Sequence, residues 1–266
     1  MSNLLLPSLK ELLSIYATCA RESTSQLLRN WIIIPASLAS FVIFSLILGL
    51  FGQLHLGLAG GLIAGLIQIA LLTLYYYWLS ETVDRQRLHW KELIQFDHAL
   101  FSGIINVGFI FFIVELLVQS FAQSMTSFPL LTLVTFVFSI VFNPVAEVIQ
   151  QRRGDGLAAL QEAYTFTLEN WIEWFVPFVL MLLPWILISP AGPLAALSQT
   201  NPLLPAAPLV WGAQQVGTYL GGYSATLPAL LAGVVLANWF MIFRALLFRR
   251  LNSSSRRKRA YQFKNS

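Results

Sequence analysis

Long apolar runs alternate with short polar blocks along this chain. About 20 apolar residues, each adding about 1.5 Å of helical rise, cross the roughly 30 Å hydrocarbon core of a bilayer. Six runs have that length: 31–51, 57–79, 101–121, 128–149, 171–189 and 225–248. The pattern predicts an all-α, polytopic membrane bundle of six transmembrane helices, which forms a single membrane domain over residues 1–248.

The second run contains three closely spaced glycines, Gly60, Gly61 and Gly65. Small residues allow membrane helices to approach one another closely. We therefore expect these glycines to mark a contact between two helices.

Amphipathic stretches precede the pairs of runs. In the first stretch, four apolar residues recur at helical spacing: Leu9, Leu12, Leu13 and Tyr16. This spacing, beside Lys10 and Glu11, is typical of a helix that lies on a membrane surface. The chain then divides into three units, each a surface helix followed by two spans, at 8–79, 86–149 and 155–248.

Two of these units share a short sequence. LLRNWIII at 27–34 and TLENWIEW at 167–174 both put an Asn-Trp pair where a predicted surface helix meets the membrane. Tryptophan favours that boundary because it has an apolar ring and a polar N–H. Either an internal duplication or a shared boundary chemistry explains the likeness.

The composition indicates a membrane protein. Of the 266 residues, 57% are hydrophobic and 11% are charged, whereas about 25% are charged in soluble domains. We expect the bacterial inner (cytoplasmic) membrane. The first 29 residues lack the basic start, apolar core and cleavage site of a signal peptide, so we expect them to be retained. The single cysteine, Cys19, excludes an intramolecular disulfide and is expected to be an inert thiol.

The basic residues have a one-sided distribution. All 16 Lys and Arg precede the first run, separate the second from the third or the fourth from the fifth, or close the chain from Arg244 onward. None lies in 52–56, 122–127 or 190–224. Loops rich in Lys and Arg stay in the cytoplasm. Both termini and the surface helices are therefore predicted to be cytoplasmic.

Residues 249–266 form a basic tail on that side. Its charges nearest the membrane are Arg249, Arg250, Arg256, Arg257, Lys258 and Arg259. Such clusters attract anionic lipid headgroups at about 1 kcal/mol per charge. We predict contact with these lipids. RNA is a weaker alternative, and no nucleic-acid partner is expected, because the tail has few aromatic residues and no nucleic-acid-binding fold around it.

One carboxylate, Glu115, lies inside the apolar segment FIFFIVELLVQSF at 109–121. Gln119 and Gln123 follow at one and two helical turns, which makes a polar stripe toward the outer surface. Burial at low dielectric raises a carboxyl pKa, so one hypothesis is a proton or cation site. The other is an interhelical hydrogen bond to Gln68 or Asn106.

The segment 190–224 contains five prolines and little charge. Proline-rich backbone cannot cross lipid while exposed to it. We expect a cap over the outer end of the bundle, and the alternative is a re-entrant segment around 203–220 that lines a path.

Catalytic and metal-binding patterns are mostly missing. GDGLAAL at 154–160 lacks the Arg and the spaced Asp pair of membrane alcohol phosphotransferases, and GGYS at 221–224 is not a Gly-x-Ser-x-Gly turn. His89, Glu92, Asp97 and His98 share one short segment without the spacing of a zinc site, which favours a solvated surface helix. The sequence predicts no catalytic residue, metal or cofactor.

The segment EVIQQRRGDGLAALQEAYTFTLENWIEWF at 147–175 resembles a motif of poorly characterised bacterial polytopic proteins related to the membrane domain of glycerophosphodiester phosphodiesterases. In those proteins a span ends in an Arg-Gly turn, and a surface helix of the EALRxSxxLxxGNxWxxF kind enters the next span. The matching positions are Arg153, Gly154, Ala159, Leu160, Ala163, Leu168, Asn170, Trp171 and Phe175. Gln161 and Glu169 depart from the pattern. Where that family has an enzyme, its chemistry belongs to a separate soluble domain, so the resemblance implies a non-catalytic membrane protein.

The same segment has a physical interpretation. Gly154 is able to end the preceding helix in the left-handed conformation, and Asp155 is able to cap the surface helix. The membrane stripe of that helix is predicted to be Leu157, Leu160, Tyr164, Leu168 and Trp171, with Glu162 and Glu169 toward water.

We expect the protein to organise, anchor or assist other membrane components, with other membrane proteins as partners and without enzymatic activity. The alternative is a small transporter or proton-coupled permease that uses Glu115.

Overall fold

A computed structural model describes residues 9–54, 57–85, 87–122, 130–152, 156–188, 201–221 and 223–253. Its helices are α1 (Leu9–Arg29), α2 (Ile33–Gln53), α3 (Gly57–Asp84), a 3-10 helix (Trp90–Ile94), α4 (His98–Ala122), α5 (Leu130–Val141), α6 (Val145–Arg152), α7 (Gly156–Ile188), α8 (Ala207–Gly221) and α9 (Tyr223–Ser253). Within the described ranges the chain has no β-strand, and Asn201 and Leu204 form an isolated bridge. The prediction of an all-α protein is confirmed.

Four helical segments are long and apolar enough to cross a membrane: Ile33–Gln53, Ala59–Asp84, His98–Val118 and Ala225–Ser253. They correspond to the first, second, third and sixth predicted spans. Four apolar helices of this length indicate an integral membrane protein.

The fourth predicted span, 128–149, is not one continuous helix. A turn at 142–144 separates α5 from α6, and α5 has 12 residues, which rise about 18 Å. Pro144 has no N–H and its ring disfavours helical backbone at the residue before it, so the helix stops there and α6 begins after it. The break frees backbone carbonyls inside the bundle. The hydroxyl of Thr167 donates to Val141 O at 3.0 Å, which satisfies one of them.

Helix α1 packs on the bundle instead of lying apart from it. Its residues Ser23, Gln26 and Leu27 are buried, and the Tyr16 hydroxyl donates to the backbone oxygen of Glu173 in α7 at 2.8 Å. Cys19 is also buried, and burial raises the pKa of its thiol to about 11. A thiol with that pKa is almost wholly protonated near neutral pH and is a weak nucleophile, in agreement with the predicted inert thiol.

The two similar segments have the same local geometry. Asn30 and Asn170 are buried, and each donates from Nδ2 to the backbone oxygen four residues earlier, at 2.9 and 3.2 Å. Each residue interrupts a helix, since α1 ends at Arg29 and α7 has non-helical backbone at Asn170. The following tryptophans, Trp31 and Trp171, are exposed. The likeness in sequence therefore corresponds to a shared bend.

The middle unit departs from this plan. The predicted surface helix between the second and third runs is wrong, because the described residues 87–97 contain only the five-residue 3-10 helix and extended links, and α4 begins at His98. The side chains there have local roles: Glu92 Oε2 accepts from the His89 backbone N–H at 2.7 Å, and Asp97 Oδ1 accepts from the Ala99 N–H at 2.9 Å. Among the described residues, no three His, Cys, Asp or Glu side chains come together as metal ligands.

The predicted membrane stripe of the third unit is partly correct. Four of its five residues are exposed: Leu157, Tyr164, Leu168 and Trp171. Leu160 is buried in the protein core, because the helix also has an inner face, with Ala159 and Ala163, that packs on the bundle. Glu162 lies 2.8 Å from the Arg152 Nε as an ion pair. Arg153, Gly154 and Asp155 lie outside the described residues.

Spin labels at Leu168 and Glu169 test whether this part of α7 lies in the membrane surface. Both side chains are exposed in the structure, so a difference between them reports the surroundings of the helix. The label at 168 is expected to be protected from an aqueous quencher and the label at 169 to be accessible, because the two residues point to different sides of an interfacial helix. Equal quenching would contradict the interfacial position.

The glycines of the tightest helix contact lie in α8 and α9, which form an antiparallel hairpin. A Cβ on Gly233 would lie 2.6 Å from Ala213 Cβ, and one on Gly217 would lie 2.7 Å from Ala229 Cβ. A Cβ on Gly61 or Gly65 would meet nothing within 4 Å. The prediction for Gly61 and Gly65 is therefore wrong, since those glycines are on an open face of α3.

The turn at 201–206 lies inside the bundle and not over its end. Pro202, Leu203 and Pro205 are buried, and Tyr76 of α3 donates from its hydroxyl to Leu203 O at 2.5 Å. Irregular backbone is tolerated at membrane depth where protein satisfies its polar groups, and proline has no N–H to satisfy. The buried turn followed by α8 supports the re-entrant interpretation of this segment. Residues 189–200 lie outside the described ranges.

Candidate functional site

The most polar part of the core is a cluster that we name the arginine centre: Arg244 of α9, Glu147 of α6, Asn143 of the turn before α6, and Trp174 of α7. Arg244 Nε donates to Glu147 Oε1 at 2.6 Å, and Nη2 donates to Oε2 at 2.9 Å. Nη1 donates to Asn143 Oδ1 at 2.8 Å, and Nη2 also donates to Asn143 O at 2.9 Å. The guanidinium thereby satisfies a carbonyl that the break between α5 and α6 leaves free.

Aromatic rings close the arginine centre. The guanidinium carbon lies 4.5 Å from the centroid of the Trp174 ring, and 5.5 and 5.8 Å from the rings of Phe178 and Phe240. The Trp174 Nε1–H donates to Asn143 Oδ1 at 2.9 Å. The side chains of Arg244 and Glu147 are 2% and 1% exposed. A paired charge that is hydrogen-bonded through each of its nitrogens and lies in contact with aromatic faces is the form in which a membrane protein tolerates ionised groups.

The sequence interpretation missed this cluster. By sequence Arg244 belongs with the basic residues that close the chain, but it lies inside the sixth predicted span, and in the structure it is buried and paired with Glu147. Glu147 lies inside the fourth. The sequence contained a signal for this pair, because Glu147 and Arg244 are each the single charged residue of an apolar run. Isolated charges of opposite sign in two spans are expected to pair.

The structure places two of the predicted polar residues, Asn106 and Gln68, in surroundings different from those of Glu115. Asn106 precedes Glu115 by nine residues in α4, a separation of about 13.5 Å along the axis, and it lies instead near Gly156. Gln68 lies on the wall of a cavity that Glu115 does not line. Glu115 itself is exposed among Leu116 and other apolar residues of α4. The Gln119 side chain and Gln123 lie outside the described residues.

Two substitutions separate a structural from a titrating role for Glu115. Glu115→Gln keeps size and hydrogen bonding but removes the titration, whereas Glu115→Leu removes both. We expect Gln to retain the wild-type stability and Leu to lower it by about 0.6 kcal/mol and at most about 2 kcal/mol, as for hydrogen bonds in membranes. Unfolding in mild detergent measures this. A folded Glu115→Gln protein that loses proton uptake in proteoliposomes would favour the transporter.

The arginines at the start of the basic tail have acidic partners. Arg249 pairs with Asp84 of α3, and Arg250 pairs with Glu22 of α1 at 2.8 Å. Both are partly exposed. These pairs fasten α9 to α1 and α3, and the contact of the two arginines with lipid headgroups stays a prediction. Arg256, Arg257, Lys258 and Arg259 lie outside the described residues.

A second feature is a cavity of about 390 Å³ between α2, α3, α8 and α9, which we name the α2 cavity. Its walls are mainly apolar and aromatic, with Phe41, Phe44, Leu72, Tyr75 and Trp211 among them. Its polar members are Ser37, Ser40, Ser45, Gln68 and Asn238. The buried turn at 201–206 contributes Leu204 and Ala206 to the wall of the cavity. The same turn is held by the hydrogen bond from Tyr76, the residue after the wall residue Tyr75.

No family model, curated protein or solved structure matches this chain. The resemblance of 147–175 to the membrane domain of glycerophosphodiester phosphodiesterases stays a prediction. Function is therefore argued from the arginine centre, the α2 cavity and the distribution of charge.

Proposed function

We propose that the protein is a non-catalytic integral membrane protein that organises, anchors or assists other membrane components. The main support for this proposal is the burial and the hydrogen bonding of Arg244. All of its nitrogens donate to Glu147 or Asn143, and the side chain is buried. These bonds use four of its five N–H groups, so this buried charge mainly connects helices to one another.

The ion pair of Arg244 with Glu147 joins segments that are far apart in sequence. It holds the broken α5–α6 segment and α7 against α9, and neither Arg244 nor Glu147 lines the α2 cavity. A catalytic or transport site needs its reacting groups to be reachable. A closed charge pair instead favours one rigid arrangement of helices, which suits a protein that presents fixed surfaces to other membrane components.

We further propose six membrane crossings with both termini in the cytoplasm, in the bacterial inner membrane. The four candidate spans supply four of these crossings, and the broken α5–α6 segment and residues 171–188 of α7 supply the other two. A broken span is compatible with a bilayer because Arg244 and Thr167 satisfy the backbone at the break. Arg85, Arg249 and Arg250 gather at one end of the bundle with their acidic partners, which fits the cytoplasmic side. The tail is proposed to contact anionic lipids.

Reporter fusions test this topology. Fusions after Gln53, Ser124 and Gln199 are expected to give outside signals. Fusions after Arg85 and Arg152 are expected to give cytoplasmic signals, because these two loops contain Lys or Arg residues and the other three loops do not. A fusion at Ser266 serves as the cytoplasmic control. A cytoplasmic signal after Gln53, Ser124 or Gln199 would rule out the six-span arrangement.

Photocrosslinking in cells, followed by purification in mild detergent, tests the organising role. A photoreactive residue at Leu46 of α2 or Leu116 of α4, both exposed, is expected to give discrete protein adducts. The same residue at Ile104, which is 0% exposed, is the buried control and should give none. The crosslinked proteins should also assemble less well, on native gels, in cells that lack this protein. Adducts with lipid alone, together with unchanged assembly, would contradict the proposal.

The competing proposal is a small transporter or proton-coupled permease. It rests on Glu115, a carboxylate within the candidate span His98–Val118. Proton movement into proteoliposomes that depends on Glu115 would support it.

A further inference from the structure

The α2 cavity has the dimensions and the wall of a ligand site. Its volume of about 390 Å³ falls within the range of about 300–1,000 Å³ that is usual for small-molecule sites. Aromatic and aliphatic side chains from four helices surround it, among them Phe44, Leu71, Trp211 and Met241. An apolar body fits such walls better than water does.

One face of α2 supplies a polar row to this wall. Ser37, Ser40 and Ser45 line the cavity and extend over about 12 Å of helical rise. Each hydroxyl donates to a backbone oxygen of its own helix, at 3.0 Å to Ile34, 3.0 Å to Ala36 and 2.9 Å to Phe41. With their protons used in this way, the serine oxygens offer lone pairs, so the row consists of hydrogen-bond acceptors.

Asn238 of α9 donates to the first serine of this row. Its Nδ2 donates at 2.9 Å both to Ser37 Oγ and to Val234 O. Because a backbone carbonyl only accepts, this geometry identifies which amide atom is the nitrogen. The Asn238 Oδ1 is buried and has no hydrogen-bond partner among the described residues. Buried acceptors of this kind normally have a donor.

Charge and position restrict the ligand further. None of the described residues that line the cavity is Asp, Glu, Lys or Arg, so an anionic or cationic headgroup would meet no counter-charge there. The wall residues Phe41, Ser45 and Trp211 are exposed, and the first two belong to α2, one of the candidate membrane spans. Access is therefore from the bilayer and not from water.

We propose that the α2 cavity binds a neutral lipid with a single apolar chain and a hydroxyl group, and that this hydroxyl donates to the acceptors formed by the α2 serines. The chain lies against the aromatic walls, and the ligand enters laterally from the membrane. The inference goes beyond the proposed function and does not depend on it, because the cavity shares no residue with the arginine centre.

Photolabelling of the full-length protein in zwitterionic nanodiscs tests the site. The probe is a long-chain alcohol with a mid-chain diazirine and a terminal alkyne, and its matched controls are the methyl ether and the carboxylic acid of the same chain. The alcohol is expected to label peptides of α2, α3, α8 or α9 roughly three- to tenfold more than the ether, the range for one hydrogen bond in a membrane. The acid should label these peptides no better than the ether.

Two neighbouring variants show whether the label comes from the cavity. Ser45→Trp places an indole at the cavity rim and is expected to abolish the preference for the alcohol. Leu46→Trp adds the same side chain to the next residue of α2, which does not line the cavity, and should leave labelling unchanged. Ser45 is exposed, so the variant is expected to fold, and gel filtration checks this. Equal labelling by alcohol and ether, a preference for the acid, or an unchanged preference in Ser45→Trp would overturn the proposal.

Discussion

Arg244→Met is expected to destabilise the protein by about 3–5 kcal/mol, the cost of leaving one partner of a buried ion pair alone. Without the guanidinium, Glu147 keeps a carboxylate that is 1% exposed, and Asn143 loses the donors of two hydrogen bonds. Unfolding in mild detergent, followed by tryptophan fluorescence, measures the loss. Trp174 is a convenient reporter because the guanidinium lies on its ring.

Two controls make this result specific. Arg249→Met removes an arginine of the same helix whose side chain is 44% exposed and paired with Asp84, and it should cost at most about 1 kcal/mol. The double variant Glu147→Leu, Arg244→Met removes both charges and should recover part of the loss. Recovery will be incomplete because Asn143 O still lacks the donor that Arg244 supplies. If Arg244→Met costs no more than Arg249→Met, the arginine centre is not what holds these helices together.

Gly233→Leu is expected to destabilise the α8–α9 hairpin by about 1–3 kcal/mol or more, the usual cost of overpacking. The new Cβ would lie 2.6 Å from Ala213 Cβ and 3.1 Å from Leu209 O. The second contact is with backbone, so a side-chain rotation does not relieve it and α8 itself has to move. The shift in the unfolding midpoint measures the effect.

Gly61→Leu is the matched control for this variant. Gly61 lies in helix α3, where a Cβ would meet nothing within 4 Å. Both changes replace a helical glycine by leucine and gain similar helix propensity, so the difference between them isolates the contact of α8 with α9. Equal stability of the two variants would show that the hairpin does not depend on its glycines.

The glycines show which features of helix packing the sequence predicts and which it does not. Gly60, Gly61 and Gly65 and the pair Gly217 and Gly233 all satisfy the same rule about small residues in membrane helices. The rule says that a glycine permits close approach. It does not say which helix approaches, and in this protein α8 and α9 meet while α3 presents Gly61 and Gly65 to an open side.

The two Asn-Trp segments and the link before α4 show the same division. The likeness of the Asn-Trp segments is visible in the sequence, and in both of them the asparagine donates to the backbone oxygen four residues earlier. The predicted surface helix before α4 is wrong, since the structure has one short 3-10 helix there, Trp90–Ile94, which His89 and Glu92 cap at its N-terminal end.

By itself the sequence determined that the protein is helical, that it is built for a membrane and where most of the long helices lie. These properties are sums over neighbouring residues, namely hydropathy along 20 or so positions and the local effect of proline. The tertiary structure decided the rest. Arg244 and Glu147 are 97 residues apart, and Tyr76 and Leu203 are 127 apart. Which distant polar groups meet depends on how the helices pack, and in lipid that packing is selected by the need to satisfy each buried charge and each interrupted backbone.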